Sequence, residues 1–123
     1  MKPPIMSALL PIELTNGNDG RTKRWFSSAK RRQEYEELLI AHGLRREPLD
    51  VPVWVRVTRV LGKGQRLWDY SSGLRGNWKE IEDALVSVGW FHDDGPKWVT
   101  AVQFVQNKTS RDRGPATLVE VFR

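Results

Sequence analysis

Apolar and polar positions along the chain fall into short blocks whose period switches between two and three to four. Ile5 to Leu14 is apolar with strand-like content. The stretch after it, Thr15 to Gly20 (TNGNDG), is dense in residues that tolerate left-handed backbone, so a strand followed by a loop is predicted. From Ser28 the spacing lengthens. Tyr35, Leu38, Leu39 and His42 recur at helical intervals, Ser27 or Ser28 can cap the start, and Gly43 can close the end. Val51 to Val60 alternates cleanly, with Val51, Val53, Val55 and Val57 on one side and Trp54, Arg56 and Thr58 on the other, the signature of a half-buried strand.

Gly62 to Gly73 is a predicted loop. Leu74, Trp78, Ile81, Leu85 and Val88 then follow at intervals of four and three residues up to Gly89, which predicts a second amphipathic helix. Val99 to Gln106 and Ala116 to Phe122 are short β-type runs separated by NKTSRDRGP, a polar segment with Gly and Pro that suits the tip of a hairpin. The predicted order is β, α, β, α, β, β. That is an α/β (α+β) fold with a small mixed sheet of about four strands packed with two main helices. No internal repeat, heptad seam or low-complexity tract interrupts it, so residues 1–123 are expected to form a single domain around one core.

Composition narrows the chemistry. With 39% apolar and 28% charged residues the chain is of globular type, and a length of 123 residues suits one core rather than two. The absence of Cys excludes disulfides and thiolate zinc sites; His42 and His92 are the only imidazoles, so a bound metal would be a hard cation on carboxylates. The start, MKPPIMSALLPIEL, is too short and too broken by Pro11 for a membrane span or signal peptide, so a cytoplasmic location, in a cell or an infected cell, is expected.

The net charge of +5 is not spread evenly. Arg21, Lys23, Arg24, Lys30, Arg31 and Arg32 fall within one twelve-residue stretch that holds no acid, an electrostatic footprint for a polyanion. Basic runs are commonly only solvated faces. Trp25 and Phe26 inside this one favour nucleic acid, since aromatics beside cations can stack on unpaired bases. Cations at the start of the first predicted helix oppose its macrodipole, a local cost that a binding role would explain. The remaining Trp residues, at 54, 68, 78, 90 and 98, are expected in the core and at a dimer face.

The segment from Trp68 to Val99, WDYSSGLRGNWKEIEDALVSVGWFHDDGPKWV, carries the informative spacings. Lys79 and Asp83 stand four residues apart on the second predicted helix and share a face, where the plainest reading is a surface ion pair. Asp93 and Asp94 sit in a turn closed by Gly95 and Pro96. Adjacent carboxylates repel, so they are either solvated or neutralised by a cation, for which Mg²⁺ with its preference for oxygen ligands is the natural candidate. His92 beside them could orient a ligand or water, although a lone histidine is more often structural.

In this segment the sequence resembles the RusA family of Holliday-junction endodeoxyribonucleases. Those proteins pair an Asp-x-Asp-Asn motif with a helix reading Lys-x-x-x-Asp-Ala-Leu, then Gly and an Asp-Asp turn. The matching residues are Lys79, Asp83, Ala84, Leu85, Gly89, Asp93 and Asp94, in the family's order and spacing. The rest of the chain follows the same plan, with an N-terminal strand, a basic loop and a helix before the long second strand. The Asp-x-Asp-Asn motif itself is not intact: Asp69-Tyr70-Ser71-Ser72-Gly73-Leu74 stands in its place. One register sets Asp69 and Ser71 at the two Asp positions; the other, anchored on Leu74, sets Tyr70 and Ser72 there. The first is preferred because Asp69 is the one acid nearby and loops absorb single insertions cheaply.

The resemblance implies Asp69, Asp93 and Asp94 as Mg²⁺ ligands, with Asp69, Lys79 and Asp94 in catalysis and Lys79 on the phosphate or transition-state charge. It also implies a homodimer engaging a four-way junction symmetrically. Arg75, with Trp25 and the basic cluster, completes the expected surface for branched or single-stranded DNA. Replacing a charged ligand by Ser would weaken metal affinity and rate together. Three classes therefore follow from the sequence: a weakened Mg²⁺-dependent nuclease, a non-cutting nucleic-acid binder, and a phage-encoded factor that contacts a host protein.

Overall fold

The computed structural model of the protein describes residues 2–16 and 25–123, the side chains of 25–27 excepted. In chain order the elements are β1 (Met6–Leu10), α1 (Trp25–Ala41), β2 (Val53–Val60), α2 (Trp78–Ser87), β3 (Val99–Asn107) and β4 (Ala116–Phe122), with single 3-10 turns at Tyr70–Ser72 and Arg111–Arg113. The strands form one mixed sheet in the order β1-β4-β2-β3. The expected order and fold class are those found.

The core lies between one face of the sheet and the two helices. Val53, Val55 and Val57 of β2 and Val119 and Val121 of β4 point into it and meet Leu39 of α1 and Ile81, Ala84 and Leu85 of α2. The alternation along β2 therefore marks this face correctly. Trp78 and Trp90 are buried in the same cluster, with the Trp90 indole nitrogen donating to Leu44 O at 2.8 Å. No helix among the described residues is long and apolar enough to cross a membrane.

Element boundaries moved for identifiable reasons. β1 ends at Leu10 because Pro11 supplies no backbone donor, yet Ile12 and Leu14 continue the alternation and stay buried. α1 begins at Trp25, so Ser27 and Ser28 lie inside it rather than at its cap, and the Ser28 hydroxyl donates instead to Glu80 Oε1 at 3.0 Å. The helix closes as expected at Gly43, whose φ of 71° lets Leu44 N reach Leu39 O at 3.0 Å. His42 does not join the core. It is exposed, with its Nδ1 2.9 Å from Leu38 O. Leu74 packs against the core from the loop before α2.

The predicted hairpin between the last two strands does not form. β3 pairs with β2 in parallel, and β4 enters antiparallel on the other side of β2 and also pairs with β1. β4 is buried along most of its length, which suits a central strand, whereas β3 is exposed at Thr100, Ala101 and Gln103, which suits an edge. α2 then serves as the crossover that a parallel β2–β3 pair requires.

Candidate functional site

The N-terminal halves of the two helices meet. On α2, Glu80 is nearly buried and meets both the Arg31 guanidinium and the Ser28 hydroxyl of α1. Asn77, immediately before α2 and 1% exposed, receives Thr15 N–H on its Oδ1 at 2.8 Å. Its Nδ2 donates to Glu13 O at 2.8 Å and to the Tyr35 hydroxyl at 2.9 Å. One buried amide thus ties the segment after β1, the middle of α1 and the start of α2 together. Burial pushes the Glu80 carboxyl up, but hydrogen bonds from Arg31, its own backbone and Ser28 outweigh it, so its pKa is lowered on balance. Burial raises the Tyr35 phenol.

This gathering decides where the expected DNA-contacting residues stand. Lys30 and Arg32 are exposed on α1 beside Arg31, and Arg75 is exposed just ahead of α2. Arg32 reaches Glu36 at 3.9 Å across one helical turn. Arg31 is not available in the same way, since its guanidinium is committed to Glu80. Arg21, Lys23 and Arg24 lie outside the described residues, as does the side chain of Trp25.

Lys79 occupies the first turn of α2 with 63% of its side chain exposed. Its ammonium contacts Asp94 directly, with Asp83 Oδ1 at 3.3 Å and Glu82 Oε1 at 3.8 Å. The hydrogen bond to Asp94 raises the Lys79 pKa and lowers that of Asp94. Glu82 behaves oppositely. Burial lifts its carboxyl, with the neighbouring Asp94 and Asp83 charges adding to the effect and Lys79 opposing it. The i, i+4 spacing made the Lys79–Asp83 pair legible in the sequence. Glu82 and Glu80 were missed, because glutamates on an amphipathic helix read as solvated face.

Asp93 and Asp94 have different partners although they are adjacent. Asp93 Oδ1 accepts from Gly95 N–H at 2.6 Å and fixes the turn that leads into β3. His92 Nε2 stands 2.6 Å from Asp50 Oδ1, and its ring lies against Trp98 at 4.3 Å between centroids, so it braces this turn against the segment before β2.

Asp69 is exposed ahead of the Tyr70–Ser72 turn and its side chain caps nothing. The loop around it is anchored at the far part of β3: Trp68 exchanges two main-chain hydrogen bonds with the Gln106 amide at 2.9 Å, and Tyr70 meets Phe104 edge-on at 5.8 Å. Arg59 lies over the Trp68 ring at 3.6 Å.

The expected magnesium ligands can be judged on this arrangement. Carboxylate oxygens are the right donor type for Mg²⁺. As arranged, Asp94 contacts Lys79 through one oxygen, Asp93 accepts from the Gly95 amide on one oxygen, and Asp69 belongs to the loop docked on Phe104 and Gln106. Among the described residues no three His, Cys, Asp or Glu side chains stand together at metal-ligand spacing. What the arrangement offers a ligand is an exposed ammonium whose carboxylate partners a phosphate could replace. No protein-family model matches the chain, and no curated protein matches it.

Proposed function

We propose that the protein is a RusA-like DNA-binding protein that engages branched DNA along the edge formed by the N-terminal halves of α1 and α2. One observation supports this reading: the Arg31–Glu80–Ser28 contact brings the stretch of α1 that carries exposed Lys30 and Arg32 against the start of α2, where Lys79 is exposed and which exposed Arg75 shortly precedes. Cations gathered in this way neutralise successive backbone phosphates and release their counterions. An arriving phosphodiester competes with Asp94 for the Lys79 ammonium. Two copies related by a two-fold axis would present the edge twice, matching the symmetry of a four-way junction.

A second reading, Mg²⁺-dependent cutting, has one specific support. Lys79 and Asp94, to which the family resemblance assigns roles in chemistry, are in direct contact across fifteen positions of sequence. The two readings separate on a labelled four-way junction incubated with and without Mg²⁺ and run on native and denaturing gels in parallel. A shifted junction that stays intact at every Mg²⁺ concentration is the expected result. Symmetric nicks that require Mg²⁺ would establish the nuclease instead, and no shift at low salt would remove both.

A further inference from the structure

The sheet face turned away from the helices carries a pattern that the Lys79 edge does not use. Register places three cross-strand rows on it. Ser7, Glu120, Arg56 and Gln103 form a polar row through all four strands; Leu9, Leu118, Thr58 and Val105 form a mostly apolar row on one side; Phe122, Trp54 and Ala101 form the row on the other. In that last row the Trp54 and Phe122 rings lie nearly parallel, 11° apart, with centroids separated by 4.2 Å. Phe122 is buried and backs the stack, while Trp54 is half-exposed.

These rings line a groove of about 690 Å³ that also takes in Lys2, Arg56, Gln103 and Arg123. The one acid on the polar row beside it, Glu120, is met by Arg56 at 3.5 Å. Arg56 also donates to Gln103 Oε1 at 3.1 Å and lies 4.9 Å from the Phe122 centroid. Lys2 and Arg123 are exposed at the rim, so cationic side chains border an aromatic floor.

We infer that this groove binds single-stranded nucleic acid, with a base stacked on the Trp54 ring and flanking phosphates held by Lys2 and Arg123. The charge is the argument for the occupant. A second copy of the same face would bring Lys2 and Arg123 against their like, whereas a phosphodiester strand supplies both the anions and the planar rings that an open sheet face with aromatics accepts. The Gln103 amide, within the same groove, can bond a base edge but offers both donor and acceptor, so little sequence preference is expected. The inference rests on different residues from the Lys79 edge.

Fluorescence anisotropy of a labelled single-stranded oligonucleotide tests it. W54A is expected to weaken binding about tenfold while W54F stays near the wild type, the signature of stacking. K2Q/R123Q, both at exposed positions, is expected to weaken binding and to flatten the dependence of log K on log salt by about 1.4, from ~0.7 per lost phosphate contact on a single strand. Retention of wild-type affinity in W54A, or an unchanged salt slope in K2Q/R123Q, would overturn the inference. So would a concentration-dependent dimer in sedimentation that W54A abolishes while leaving oligonucleotide affinity intact. W54A and K2Q/R123Q leave the helix residues unchanged, so the junction shift of these variants reads the helix edge apart from the groove.

Discussion

Lys79 and Glu80 are neighbours on α2 with opposite circumstances, and their expected behaviour on mutation differs accordingly. Lys79 is largely exposed, so its ion pairs are screened and contribute at most ~1 kcal/mol to stability. Their effect is instead on Asp94. In K79M the Asp94 carboxyl is expected to titrate at higher pH than in the wild type, as read by NMR of the side-chain carboxyl carbon. Because the folded pKa of Asp94 is lowered, the stability that pair contributes is present above the ordinary aspartate range and is lost as pH falls through the lowered value. Glu80 is nearly buried and holds a partly buried Arg31 whose Nε has no partner among the described residues. Removing the carboxylate in E80A leaves that guanidinium stranded, and a loss of about 2 kcal/mol in urea denaturation is expected, as for a hydrogen bond to a charged group. The wild-type pair follows the same sign as Asp94, since the Glu80 pKa is also lowered: its contribution fades on acidification, and E80A is expected to show a correspondingly flatter acid limb.

At the level of elements, two turns fix where the helices end. Gly89 has φ of 95°, and a Cβ there would run into the Arg46 carbonyl, whose own amide bonds Val88 O at 2.9 Å. G89A therefore combines left-handed strain with a backbone clash and is expected to cost about 2 kcal/mol or more, lowering Tm by ~8 °C in a thermal melt. The role of Gly89 as a stop was readable from the apolar steps that precede it; the Arg46 contact was not, because it joins segments far apart in sequence. The same distinction runs through the fold. Alternation in β2 identified which face is buried, since that is a property of one strand. It could not say which strand lies beside it, so two β-type runs with a Gly-Pro link read as a hairpin although each borders β2 instead. The candidate site divides the same way. Lys79 and Asp83 were legible from helix periodicity, whereas the joining of Lys79 to Asp94, the capture of Arg31 by Glu80 and the anchoring role of buried Asn77 depend on packing between elements.

For the whole molecule, the distribution of charge predicts how binding responds to salt. If the helix edge grips duplex arms, substituting Lys30, Arg32 and Arg75 together by Gln is expected to reduce the slope of log K against log salt by up to ~2.7, at ~0.9 per phosphate contact on duplex DNA. The three are exposed, and the fold should tolerate their loss, which circular dichroism would verify. An unchanged slope would place the junction contacts elsewhere on the protein. The two proposals place duplex and unpaired strand on separate surfaces, since the helices cover one face of the sheet and Trp54 and Phe122 lie on the other.

The position of β4 between β1 and β2 also bears on how the protein is made. Thr117 donates its hydroxyl to Ile12 O at 2.7 Å, closing a contact across 105 positions of sequence, and β4 pairs on both sides with strands that precede it by about half the chain or more. On the ribosome, β1 and β2 must therefore wait without their shared neighbour until the last of these residues has left the exit tunnel. The sheet cannot grow outward from an early hairpin; it is completed by insertion, and a nascent chain stalled short of Ala116 would expose two unpaired apolar edges to whatever chaperone is at hand.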